Sequence, residues 1–268
     1  MELPRHAGGV TTESIGGAGG VRRWRPRDPA VRSVVNAVWS TGVAATAVSS
    51  RILPDAHIDI VWDGEWLRVA GPDTTARVEA LPPGRAVIGL QLASGAALGV
   101  LGVPASAVRD DRVDLADLWG TGLVEPLVDT LHAATDVRQA AASIESAIAV
   151  RTSSAAPVDA LAGEVRRRVG RGVPVAALDD LGIGERQLRR RCITAFGYGP
   201  KVLARILRFQ AFLDRLHTQP EVPLAIAAAD AGYADQAHLN HDVVALTGLT
   251  PGRLRASLTS DPYTTRAA

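Results

Sequence analysis

Cysteine is almost missing from the chain: its 268 residues include one, Cys192. A lone thiol cannot close an internal disulfide, which excludes a disulfide-stapled scaffold and fits a reducing, cytoplasmic setting. No run of about eighteen uninterrupted apolar residues occurs, so no membrane span is expected although 47% of the residues are hydrophobic. Residues 1–20 lack the basic start and apolar stretch of a signal peptide; being Gly-rich, they read as a flexible tail. Lysine occurs once, at position 201, so nearly every cation is an arginine. No nucleophile with a partnering base and no Gly-rich phosphate loop is found, so neither catalytic residues nor a cofactor is expected. His238 and His241 have no third ligand at matching spacing, and no metal site is expected.

What is present, near the C-terminal end, is a repeat. The frame Leu188, Gly197, Pro200 returns fifty-one residues later as Leu239, Gly248, Pro251. Each copy is preceded by a Gly-centred turn, Leu181-Gly182-Ile183-Gly184 in one and Ala231-Gly232-Tyr233-Ala234 in the other. A short apolar helix, a Gly turn, a second helix and a Gly-x-x-Pro exit spell helix-turn-helix, used twice. In the first unit Val175, Ala176, Leu178 and Leu181 predict a supporting helix after Pro174, stopped by Gly182. The helix that follows, from Glu185, turns Leu188 and Cys192 inward and Arg186, Gln187, Arg189 and Arg190 outward. In the second unit Leu224, Ala227, Ala228 and Ala231 form the support and Asp235 is placed to cap the next helix. That helix buries Leu239, Val243 and Leu246 and exposes Gln236, His238, Asn240 and His241. Between the units, Val202, Ile206, Phe209, Leu213 and Leu216 make an apolar stripe on one long helix.

Together, Gly184-Glu185-Arg186-Gln187-Leu188-Arg189-Arg190-Arg191, Phe196-Gly197-Tyr198-Gly199-Pro200, Arg205-Ile206-Leu207-Arg208, Ala231-Gly232-Tyr233-Ala234-Asp235-Gln236-Ala237-His238-Leu239 and Thr247-Gly248-Leu249-Thr250-Pro251 resemble the DNA-binding domain of AraC/XylS-type transcription regulators. The resemblance covers roughly residues 158–257. It implies that the helix after each turn enters a major groove, the linking helix holding the two about one DNA turn apart. By position, Arg186, Arg189 and Arg190 would face DNA in the first unit and Gln236, Asn240 and His241 in the second, with Gln187, Lys201, Arg205 and His238 beside them. Cys192 and Val243 stand where the family usually has phenylalanine. Asn240-His241-Asp242 replaces a more basic stretch, which predicts weaker phosphate binding by the second unit. Charge agrees: residues 158–257 hold fourteen Arg or Lys against ten Asp or Glu, a surplus of four, while the whole chain is +1 and the remainder therefore about −3.

Residues 21–112 have another texture. His57-Ile58-Asp59-Ile60-Val61-Trp62, Asp63-Gly64 and Glu65-Trp66-Leu67-Arg68-Val69 predict a hairpin with a two-residue turn, Ile60 opposite Leu67 and Ile58 opposite Val69. Residues 87–92 form a further strand candidate, and four of the five tryptophans, Trp24, Trp39, Trp62 and Trp66, lie in this region. It reads as a β-rich sensor. The stretches Ile52-Leu53-Pro54-Asp55, Val69-Ala70-Gly71-Pro72-Asp73 and Leu101-Gly102-Val103-Pro104-Ala105 resemble the uncharacterised N-terminal domain of actinobacterial regulators of this type, in which Ala56-His57 is often Gly-Cys. Trp39, Asp55, His57 and Trp62 are the candidate ligand-binding residues, although tryptophan is more often core. Asp55, Asp59 and Asp73 read as loop caps rather than an acid pair.

From Val113 the pattern turns helical, with Leu123, Val124, Leu127, Val128 and Leu131, a break at 134–136, then Val137, Ala141, Ile144 and Ile148. This connector could pack on the sensor, carry a signal or form a dimer surface; packing is the expectation. The reading is an α+β protein: a flexible tail (1–20), a β-rich sensor (21–112), a helical connector (113–155), an all-α DNA-binding domain with two helix-turn-helix units joined by a long helix (156–257) and a C-terminal tail (258–268). The implied function is a one-component transcription regulator that is not an enzyme. Its partners would be double-stranded DNA, a small-molecule effector, RNA polymerase and a second copy of itself. The alternative is a constitutive DNA-binding protein whose N-terminal domain only mediates oligomerisation.

Overall fold

A computed structural model describes residues 20–43, 45, 48–81, 83–155 and 157–260. Most of the expected tails at 1–20 and 258–268 therefore lies outside the described residues. The N-terminal half is built on a six-stranded antiparallel sheet, spatial order β1-β2-β7-β4-β5-β8: β1 (Val21–Trp24), β2 (Val35–Gly42), β4 (Asp59–Trp62), β5 (Leu67–Ala70), β7 (Ala86–Leu92) and β8 (Arg112–Asp114). A second sheet pairs β3 (Val48–Ile52) with β6 (Arg77–Leu81). Alternation sets the two faces of the large sheet. Val38, Ile60, Trp62, Leu67, Val69, Ile88 and Leu90 point into one core, while Trp39, Thr41, Asp59, Val61, Val87 and Gln91 point the other way.

The hairpin forms, with a different register. Trp62 pairs with Leu67 and Ile60 with Val69, two residues away from the expected pairing, because the loop is four residues long. Asp63 Oδ1 accepts the N–H groups of Glu65 (2.9 Å) and Trp66 (2.7 Å), and Gly64 takes φ 91°, so the aspartate side chain organises a longer turn. A slip of two preserves which residues share a face.

The segment read as a connector covers the sheet. After α1 (Ala97–Leu101), α2 (Leu115–Trp119), α3 (Thr121–His132) and α4 (Val137–Thr152) lay Leu115, Val124, Leu127, Leu131, Ala141, Ile144 and Ile148 on the same core as the strands. Asp136 caps α4, accepting from the N–H groups of Arg138 and Gln139. Val113, expected to begin the helices, lies in edge strand β8 instead, paired with Val69.

The C-terminal half is all helical: α5 (Ala160–Gly170), α6 (Glu185–Phe196), α7 (Pro200–Thr218), α8 (Leu224–Asp230), α9 (Gln236–Thr247) and α10 (Pro251–Ser260). Its core gathers Leu188, Phe196, Leu203, Ile206, Phe209, Phe212, Leu213, Leu239 and Val243 around α7. The support of the first unit is not an α-helix but two 3-10 turns, Val175–Ala177 and Asp179–Leu181. Val175, Leu178 and Leu181 recur every third residue, the period of a 3-10 helix, and Leu178 is fully buried. The repeat otherwise holds to the residue. Gly197 (φ 84°) and Gly248 (φ 72°) end α6 and α9 in the left-handed conformation, and Pro200 and Pro251 begin α7 and α10.

Candidate functional site

Two surfaces carry the functional reading, and one loop joins them. The first is the outer face of α6 and α9. Leu188, Cys192 and Phe196 anchor α6 in the core, so Arg186, Arg189 and Arg190 project into solvent with Gln187 half-exposed; Lys201 is exposed at the start of α7. Arg191 turns back to Asp159 at 2.9 Å and leaves that set. On α9, Leu239, Val243 and Leu246 face inward while Gln236, Asn240 and His241 are exposed and His238 is half-buried. Asp235 Oδ1 accepts the His238 N–H at 2.7 Å, the cap the sequence places there.

Arg205 and Arg208 face the protein. Asp242, 5% exposed, lies 2.9 Å from Arg205 Nε and 3.9 Å from Arg208 Nη1, with His238 Nε2 at 3.7 Å. The Arg208 guanidinium also stands 5.4 Å from the Tyr233 ring centre. This cluster ties α7 to α9 through Arg205, Arg208 and Asp242.

The second surface is a partly open cavity of about 170 Å3 between the two sheets. Of the four residues nominated for it, Trp39, Asp55 and His57 line it. Trp62 does not: it points into the opposite core, 4% exposed and edge-on to His132 at 5.1 Å. The strand alternates, so His57, Asp59 and Val61 share the cavity face and Trp62 falls on the other. Trp66, past the turn, stands at the cavity rim in its place. Trp39 Nε1 donates to Asp59 Oδ1 at 2.6 Å, and the indole lies flat across Gly89, where a Cβ would fall 2.1 Å from the ring.

Asp59 is the residue sequence reasoning missed. Enclosure and the nearby Asp55 charge push its carboxyl up to about 7. Asp55 behaves oppositely: burial pushes it up, but contacts with His57 outweigh that and hold it below the usual carboxylate range. Burial lowers His57 against the opposing pull of the Asp55 charge. Asp55 does cap its loop, accepting the His57 N–H at 2.9 Å, whereas Asp73 forms an ion pair with Arg112 at 2.8 Å. Among the described residues no group of three or more His, Cys, Asp or Glu is placed to hold a metal ion, and no helix is long and apolar enough to cross a membrane.

Cavity and C-terminal helical half meet at loop 53–57. Leu53 and Ala56 lie in the C-terminal core, not the N-terminal one. Ala56 adopts φ 62°, which presents successive carbonyls outward: Arg166 of α5 donates to Ala56 O (2.9 Å) and Asp55 O (3.3 Å), and Gln210 of α7 donates to Pro54 O (2.6 Å). The same domain also holds the C-terminal ends of both reading helices. Arg109 donates to Gly197 O at 3.3 Å, Arg51 to Thr247 O at 3.2 Å, and the Ala76 N–H to Leu246 O at 2.6 Å. A guanidinium at each end satisfies a terminal carbonyl and complements the helix dipole. On β3, Ser50 and Ile52 line the cavity while Arg51 between them grips the end of α9.

Comparison with known proteins gives two family matches: a helix-turn-helix domain over residues 178–257 and a domain of unknown function (DUF6597) over residues 23–114. No curated protein matches the chain. Among solved structures it is similar to ToxT from Vibrio cholerae O395, with 11% identity, a TM-score of 0.45, and coverage of 83% of this chain and 96% of that one. It is also similar to ToxT from that strain bound to (E)-4-(8-methylnaphthalen-1-yl)but-3-enoic acid (11% identity, TM-score 0.41, coverage 89% and 98%). A third match is unsaturated fatty acid bound wild-type ToxT from Vibrio cholerae strain SCE256 (9% identity, TM-score 0.39, coverage 88% and 93%).

Proposed function

We propose that the chain is an AraC-type helix-turn-helix regulator in which α6 and α9 read promoter DNA under the control of a small molecule held between the two sheets, a reading supported by the helix-turn-helix match over residues 178–257. Arg186, Arg189 and Arg190 on α6 and Gln236, Asn240 and His241 on α9 are the base-facing set in this reading, and Lys201 contacts phosphate. Exposed arginine can bond a guanine edge with two N–H groups at once. The single observation that carries the control is that the domain containing the cavity holds the C-terminal ends of both reading helices, through Arg109, Arg51 and the Ala76 N–H. A ligand that moves β3 or loop 53–57 then acts on α9, α5 and α7 through bonds one residue away from itself.

Docking of two helices must neutralise several phosphates. Binding of the full chain to its promoter should therefore weaken with salt, log affinity falling linearly with log salt at about 0.9 per phosphate released. An affinity unchanged between low and physiological salt would sink the docking model. The control half is tested on the same DNA by adding cavity ligands, which must shift that affinity.

A further inference from the structure

Two polar groups in the cavity have no partner among the described residues. Gln91 is 2% exposed; its Oε1 accepts from Arg23 Nη2 at 2.9 Å, which aims Nε2 the other way, and Nε2 meets no acceptor. Thr41 is 8% exposed, and its Oγ1 is likewise unpartnered. Most buried polar groups in folded proteins are hydrogen-bonded, so two unpartnered ones lining the same cavity call for a partner. Thr41 pairs with Val87 of β7, four residues from Gln91, so the two orphans stand about 13 Å apart at a strand rise of ~3.3 Å per residue. Between them run Trp39 and Val61, both level with Gly89, so an apolar stretch separates two unmet hydrogen-bonding groups.

Among the described residues the lining carries five carboxylates and three arginines; Arg112 is held by Asp73 and Glu79, which leaves Asp55, Asp59 and Asp63 beside Arg23 and Arg68. Asp59 stands directly across the strands from Gln91 and receives the Trp39 N–H on one oxygen. We propose that the cavity binds an elongated organic cation, its protonated nitrogen donating to Asp59, an adjacent oxygen accepting from Gln91 Nε2, and an aromatic or aliphatic body lying along Trp39 and Val61 toward Thr41. An anionic head would stand against the Asp55 and Asp59 carboxylates and leave Asp59 with no donor beyond the Trp39 N–H. This assignment rests on the ligand-control part of the reading above.

Binding has a proton signature. Asp59 is faced by Asp55 and His57 from loop 53–57, Arg23 from β1 and Arg112 from β8. Asp55 is held below the usual carboxylate range and burial lowers His57, whereas Asp59 is pushed up to about 7, into the range the experiment spans. A fixed positive charge favours its anion. Below pH 7 the cation must displace that proton, so affinity rises between pH 6 and pH 8 and a proton is released on binding.

The test uses three compounds sharing a phenyl ring and a hydroxyl but differing in the head: 2-amino-1-phenylethanol (cation), 1-phenyl-1,2-ethanediol (neutral) and mandelate (anion). Titration calorimetry on the full chain at pH 6 and pH 8, in buffers of different ionisation heat, should show the amine binding at least tenfold tighter than the diol, mandelate not binding, and the amine tighter at pH 8. Asp59→Asn should remove the preference for the amine and its pH dependence while diol binding persists. Tighter binding of the diol or mandelate, or no binding of the amine at millimolar concentration, overturns the assignment. Promoter titration with each compound separates the two claims. A response to mandelate or the diol alone keeps ligand control and removes the cation site, whereas amine binding that leaves DNA affinity unchanged keeps the site and removes the control.

Discussion

At the scale of single residues, the cavity floor depends on a missing methyl group. Trp39 lies against Gly89 so closely that a Cβ there would sit 2.1 Å from Cε2 and 2.2 Å from Cζ2. Gly89→Ala should expel the indole, break its bond to Asp59 and cost about 1–3 kcal/mol, read as a lower denaturation midpoint with an altered tryptophan emission. An unchanged midpoint and emission would mean that the indole rests elsewhere. Asp59 gives a prediction with a defined sign. Its native carboxyl, at about 7, lies above its ordinary value of 3.8, so between those values the folded chain holds more protons than the unfolded one and the ionisation penalty grows with pH. Asp59→Asn should gain stability over the parent at pH 8 and not at pH 4; equal differences at both would remove the perturbation. Cys192 is 1% exposed with its thiol pushed up to about 12 by burial and the Asp159 charge, so thiol reagents at pH 8 should label it at the rate of unfolding. Fast labelling of the native chain would place it at the surface. The sequence made Trp39, Asp55 and His57 legible as candidates, and the misplacement of Trp62 is instructive. Period-2 alternation states which residues share a face, putting His57 with Asp59 and not with Trp62, but only the helices packed on one side decide which face stays open.

At the scale of elements, the C-terminal half was the more legible because its signals are local. Glycines at the left-handed ends of α6 and α9, prolines opening α7 and α10, and the Asp235 cap are each fixed by near neighbours in sequence. The hairpin register was less legible, since the Asp63 side chain chose a four-residue loop over the two-residue turn that Asp-Gly suggests. The helices after β8 were placed correctly, but their role in covering the sheet depends on long-range packing that no short window contains. This scale also separates two kinds of arginine. Arg186 and Arg190 project from α6 one turn apart. Replacing either with Ala should cost roughly 1–3 kcal/mol on the cognate promoter and much less on random DNA. Arg205 is turned to Asp242, so Arg205→Ala should weaken cognate and random DNA by similar factors and lower the stability of the domain. Competition titration at fixed salt, with circular dichroism as a control for folding, distinguishes the sets; equal losses on both DNAs for the α6 variants would move base reading to Gln236, Asn240 and His241.

At the scale of the whole molecule, the two halves share material. Leu53, 2% exposed, belongs by sequence to the N-terminal half and by packing to the C-terminal core, where Leu53→Ala should cost about 2–5 kcal/mol. With Arg166 and Gln210 bonded to the same loop, the chain should melt in one calorimetric transition, and the double variant Arg166→Ala, Gln210→Ala should split it into two. Two transitions in the parent would contradict a shared core. The grip of one domain on the ends of both reading helices also works in reverse. A promoter that fixes α6 and α9 in one arrangement must act back through Gly197, Leu246 and Thr247 on the strands that wall the cavity. Thermodynamic linkage makes the two effects equal: whatever factor a cavity ligand applies to DNA affinity, the promoter applies to ligand affinity. Under the proposed ligand control, DNA would be an effector of the N-terminal domain, and the ligand concentration needed for a response would be set by the operator as much as by the cavity itself.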